Sequence, residues 1–97
     1  MTIKTKHGFK CDIDESIIED YTFLEAIAMA SDTDNPSTSM MGTTKLVNLL
    51  LGSNKKGFMD AIAKKHNGRV PATEVTAEIM SIMAQINDAK NSLSSEG

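Results

Sequence analysis

The sequence predicts an α+β fold, with an N-terminal β-hairpin packed on a cluster of four to five α-helices. Three observations carry that expectation. The first thirteen residues alternate in polarity around His7-Gly8. Apolar residues then recur every three or four positions, the spacing of a helix face. Breakers near 31–36, at Gly52-Ser53 and at 67–71 cut that region into helix-sized pieces. Strands first and helices after is the order of an α+β unit.

In chain order, Thr2–Lys6 and Phe9–Ile13 are the alternating runs, and His7-Gly8 supplies the turn between them. Phe9, Cys11 and Ile13 share one strand face. Ile3 is the only apolar residue of the first strand, which suits an edge. A lone hairpin is marginal in water, so it must lie on helices. Asp14-Glu15-Ser16 opens a helical region in which Ile17, Tyr21, Leu24 and Ala28 form a stripe. Asp20 is placed to cap a fresh turn and split that region in two. It ends near Ser31, and Asn35-Pro36 pairs an N-cap with proline at the first helical position. Ser37–Met41 is ambiguous, because Gly42 weakens a continuous helix through it.

Thr43–Leu51 is a short helix stopped by Gly52, and Asn54–His66 is the next, ended by Asn67-Gly68. The last helix, Ala72–Ala89, carries a regular seam. Ala72, Val75, Ile79, Ile82, Ile86, Ala89 and Leu93 are separated by three and four residues in alternation, the repeat of a coiled-coil seam. Met80 and Met83 widen it on one side. Residues 1–90 are expected as a single domain and 91–97 as a flexible Ser-rich C-terminal tail.

The 97 residues allow one modest core. With three Phe, one Tyr and no Trp, aliphatic residues and seven Met must fill it. One cysteine cannot form an internal disulfide, the start has no apolar leader, and no apolar run approaches a membrane span. An intracellular location is the expectation. The net charge of −3 argues against nucleic acid as main partner, but the charge is distributed unevenly. Residues 1–35 set three Lys against eight acids, 36–70 set six basic residues against Asp60, and 71–97 set Lys90 against four acids. Such alternation can steer docking or self-association.

No reactive set emerges. His7 and Cys11 lie four apart with His66 far off, short of the three or four ligands that zinc requires. Cys11 alternates with Phe9 and Ile13 and is expected as a small core residue. Asp32-Thr33-Asp34-Asn35 lacks the glycine and closing acid of a calcium loop. Gly52–Gly57 lacks the pattern of a phosphate loop. Catalytic, cofactor and metal residues are therefore expected to be none. Lys55, Lys56, Lys64, Lys65 and Arg69 make a basic patch with one aromatic, Phe58, too few for stacking on bases. What remains is apolar surface. Val75, Ile79, Met80, Ile82, Met83 and Ile86 are the candidate partner-binding residues, with the core as competing destination for the Val/Ile seam. Met40-Met41 is a second candidate.

The ordered set of motifs resembles the tail assembly chaperones of siphophages and prophages of Gram-positive hosts. The similarity lies in Thr2-Ile3-Lys4-Thr5-Lys6-His7-Gly8-Phe9, in the Asp-rich segment before Tyr21-Thr22-Phe23-Leu24-Glu25, and in Lys45-Leu46-Val47-Asn48-Leu49-Leu50-Leu51-Gly52. It continues in Asn67-Gly68-Arg69-Val70-Pro71 with its acidic amphipathic helix, and in Lys90-Asn91-Ser92. Ser53-Asn54-Lys55-Lys56-Gly57 departs from the family, where this stretch is usually more acidic. The resemblance implies a non-enzymatic role in the host cytoplasm. It implies binding of the tape measure protein, recruitment of tail tube protein, and a longer form made by frameshifting in many members. A homo-oligomer is one outcome the seam allows. The alternative reading is a small nucleic-acid-associated regulator acting through the basic segment.

Overall fold

The computed structural model describes the backbone of residues 1–95 and the side chains of residues 1–90. The chain is mostly helical with an antiparallel hairpin at its start: β1 (Thr2–Lys4), β2 (Lys10–Asp12), α1 (Tyr21–Ala30), α2 (Pro36–Leu51), α3 (Lys55–Lys65) and α4 (Ala72–Ser95). Ile3 pairs with Cys11, Thr2 with Asp12 and Lys4 with Lys10. A loop across 5–9 closes the hairpin, with Thr5 N–H donating to the Phe9 carbonyl (2.8 Å) and Gly8 N–H to the Thr5 carbonyl (3.1 Å). Gly8 has φ +83°, a left-handed conformation open to glycine at no steric cost.

The opening helical region divides where Asp20 was expected to divide it. Glu15–Glu19 is a 3-10 turn capped by Asp14, and Asp20 is extended and caps α1, its Oδ1 accepting from Thr22 N–H at 2.8 Å. The expected stripe is out of phase as a result. Tyr21 and Leu24 are 78% and 51% exposed and Ala28 is exposed, while Phe23 and Ala26 are fully buried. The extended residue at Asp20 resets the helical phase, so the register set by Ile17 does not carry into α1.

Gly42 does not interrupt α2, which runs unbroken from Pro36 to Leu51. The ambiguous segment and the expected short helix are one element, so the chain divides differently from the expected four to five helices. A Cβ at position 42 would lie 2.2 Å from the Ala30 backbone nitrogen and 2.7 Å from Met29 Cβ. Glycine marks the crossing of α1 and α2 here. Ser39 Oγ donates to the Ala30 carbonyl (2.8 Å) at the same crossing.

The core joins every element: Ile3 and Ile13 from the hairpin region, Phe23 and Ala26, Leu46, Val47, Leu50 and Leu51, Phe58 and Ile62, and Val75, Ile79, Ile82 and Ile86. Cys11 is half-buried against this cluster, and burial followed by the Asp12 charge raises its thiol pKa. Helix α4 passes the expected end at Ala89 and continues to Ser95. The remainder of the expected tail, residues 96–97, lies outside the described residues, as does the side chain of Leu93.

Candidate functional site

Between α2 and α4 runs an open groove of about 680 Å³. Met40, Val47, Met59, Val70 and Val75 supply its apolar lining, and Lys55 stands on its rim. A second hollow of about 300 Å³, lined by Ile27, Leu46, Ile79, Met80 and Met83, shares Ser39, Thr43 and Thr76 with the first. The two adjoin at these residues and are taken together as one channel along the α2–α4 seam. Four of its hydroxyls are engaged inside the protein. Thr43 donates to the Ser39 carbonyl (3.0 Å), Thr44 to that of Met40 (2.9 Å), Thr76 to that of Ala72 (3.1 Å) and Ser39 to that of Ala30. These bonds, three to the i−4 carbonyl and one across to α1, leave the four groups no donor proton for a ligand. The channel therefore suits an apolar occupant despite its Ser and Thr content. Met40, Met80 and Val70 stand at its edges, 54%, 66% and 38% exposed.

The structure divides the candidate partner-binding residues. Val75, Ile79, Ile82 and Ile86 are core, at most 8% exposed, and Ile82 and Ile86 are sealed completely. α4 turns these positions inward to close the core against α2, α3 and the hairpin, and Val75 and Ile79 also form part of the walls of the two hollows. Met80 is outside. Met83 is half-buried against the core while lining the smaller hollow. Met41 is exposed beside Met40.

The basic residues do not assemble into one patch. Eleven residues of α3 put Lys55 and Lys56 at one end and Lys64 and Lys65 at the other, about 13 Å apart along the axis. Lys55 Nζ donates to Asn48 Oδ1 (2.9 Å), and Lys56 pairs with Asp60 (3.2 Å), both largely at the surface. Lys64, Lys65 and Arg69 are exposed near the far end.

Sequence reasoning missed a polar cluster at the tip of the hairpin. Even-numbered residues of β1 turn their backbone groups away from β2, and α4 covers them. Gln85 Oε1 accepts from Lys4 N–H (3.2 Å) while its Nε2 donates to the Lys4 carbonyl (3.0 Å). Two helical turns earlier, Glu78 Oε1 accepts from Lys6 N–H (3.1 Å). Glu78 is fully buried, and its other oxygen meets His7 Nδ1 at 3.2 Å. Burial pushes the Glu78 carboxyl pKa up, but hydrogen bonds from His7, the Lys6 N–H and Thr5 outweigh it and hold the pKa below its ordinary value. His7 Nε2 faces Glu74 Oε2 at 3.4 Å, and its ring lies 5.9 Å from that of His66. His7 and His66, far apart in sequence, are thus neighbours in the fold. The only signal in the sequence was Glu78 itself, an acid set between Val75, Ile79 and Ile82 on the inward face.

No family model, curated protein or solved structure matches the chain.

Proposed function

We propose that this protein is a non-enzymatic tail assembly chaperone that holds apolar helical segments of a tape measure protein in the α2–α4 channel and recruits tail tube subunits. The observation that carries the binding part is the channel itself: largely apolar walls, four hydroxyls committed to backbone carbonyls, and exposed methionines at its edges. Methionine is flexible and polarizable and suits a surface that must accept varied apolar side chains. An amphipathic helix laid in a hydrophobic groove is a recurrent mode of recognition. The partner's identity comes from the resemblance of the ordered motifs to the chaperone family. A tape measure chain is long, helical and aggregation-prone, so many weak grooves acting together hold it soluble.

The nucleic-acid reading loses its main support, since the lysines of α3 are split between its ends and two are engaged by Asn48 and Asp60. Co-expression with a tape measure fragment tests the proposal. The fragment becomes soluble and co-purifies with the chain. A fragment that stays insoluble with and without the chain contradicts it.

A further inference from the structure

The hairpin tip, the end of α3 and the first turns of α4 converge on one point. His66 follows α3 and is held by the left-handed stop at Asn67 (φ +56°) and Gly68 (φ +86°), with Gly68 N–H donating back to the Ala63 carbonyl at 2.9 Å. His7 comes from the hairpin loop, and Glu74 from α4. One ligand atom from each of His7, His66 and Glu74 lies within 4.8 Å of the other two. Three residues from three elements, His7 remote in sequence from the other two, thus present two imidazoles and a carboxylate to a common centre.

The wiring of His7 gives that centre its chemistry. A carboxylate only accepts, so Nδ1 keeps its proton and donates it in a hydrogen bond to the Glu78 oxygen at 3.2 Å. In the neutral ring this leaves a lone pair on Nε2, which faces the Glu74 oxygen at 3.4 Å. Two lone pairs opposed at that distance call for a positive centre between them, either a proton on Nε2 or a metal ion. A buried carboxylate on the far nitrogen of a ligating histidine is the usual outer support of a metal site, fixing tautomer and ring direction. Glu78 is fully buried and is itself fixed by the Lys6 N–H. Zinc bonds to N and O of about 2.0–2.2 Å set tetrahedral ligand edges of about 3.4 Å. The His7–Glu74 edge has that length. His66 closes the remaining edges by a side-chain movement of at most about 1.5 Å, given the 4.8 Å limit and those bond lengths.

We propose that this junction is a divalent-cation site, with His7 Nε2, His66 and a Glu74 oxygen as ligands of Zn²⁺ and Glu78 as the positioning residue that aims His7. The two-imidazole, one-carboxylate set suits a late first-row cation rather than calcium or magnesium, which take all-oxygen shells. Three protein ligands leave a fourth position for water or a partner's side chain. Bound there, the ion pins the hairpin tip to α3 and α4.

Calorimetric titration of the whole, chelator-stripped chain with Zn²⁺ alone tests this. One ion binds per chain, and a hundredfold excess over Kd raises the thermal midpoint by about 10 °C. His66→Ala and Glu74→Gln each weaken binding by about tenfold or more, and Cys11→Ser leaves it unchanged. Co²⁺ gives a visible spectrum without a thiolate charge-transfer band. Both variants remove side chains that are only half-buried, and circular dichroism verifies their folds. If one fails to fold, the other and the Co²⁺ spectrum decide. Absence of stoichiometric binding, binding indifferent to both variants, or binding lost with Cys11 overturns the proposal.

Discussion

Glu78 holds the free edge of the hairpin from inside the core, which makes it the residue with most at stake in acid. Its carboxyl titrates below its ordinary value in the folded chain, so between the unfolded value of about 4.3 and that lower value the unfolded state binds more protons. The stability Glu78 contributes is fully present above about pH 4.3 and is lost as pH falls through the folded value. Glu78→Gln keeps an acceptor for Lys6 N–H and removes the titration. Urea unfolding of this variant between pH 5 and 3 gives a shallower acid decline than the parent. Gly42 is the second residue with a sharp consequence. A methyl group there would meet backbone on α1 at 2.2 Å, and backbone cannot swing aside as a side-chain tip can. Gly42→Ala costs about 1–3 kcal/mol by the usual toll of overpacking, although alanine is the better helix former. Chemical denaturation measures it. Neither role was legible in the sequence. A glycine in a helix signals a weak point or a close approach with equal force, and only the position of α1 decides which. An acid in an apolar stripe names no partner until the hairpin is laid against it.

At the scale of elements, local chemistry was readable and long-range phase was not. Asp20 caps α1, Pro36 opens α2 at its first position although the Asn35 side chain turns to Asp32 instead of capping, and Gly52 and Asn67-Gly68 stop their helices. The stripe across Ile17 to Ala28 failed because one extended residue at Asp20 rotates everything after it. The three-four seam of α4 was visible as a stripe, but its destination was open, since core and interface seams share a period. Its residues at 75, 79, 82 and 86 are core. The hairpin depends on α4 for more than apolar cover: Gln85 gives and takes a hydrogen bond at Lys4, standing in for a third strand. Gln85→Ala removes both, at about 1 kcal/mol for the pair because water can replace them at this exposed edge. Amide exchange at Lys4 accelerates, while the amides of α2 keep their protection. Uniform acceleration through the whole chain would show that the hairpin and the helices open as one unit.

For the molecule as a whole, four apolar positions of α4 close the core, and two of them, Val75 and Ile79, also wall the methionine-edged channel that the proposed function assigns to a partner. Among the described residues no helix is long and apolar enough to cross a membrane. Folding pairs Lys90 with Glu19 (2.8 Å) between the two acidic segments and Lys56 with Asp60 within the basic one, so the unequal charge of the three segments persists. The channel itself was only partly foreseen. Val75, Ile79, Met80, Met83 and Met40 were among the candidates, whereas Val47, Met59 and Val70 join them only once α2, α3 and the loop before α4 are brought together. Titration of a tape measure fragment into the chain and two variants tests the central claim most directly. Met80→Glu puts a charge at the channel edge and weakens binding by about tenfold or more, as expected for losing the burial of one large apolar side chain. Its thermal midpoint stays within about 4 °C of the parent, as surface changes do. Tyr21→Glu, on an exposed position of α1 outside the channel, binds like the parent. Equal binding by all three proteins, or loss with Tyr21→Glu and not with Met80→Glu, would contradict the account.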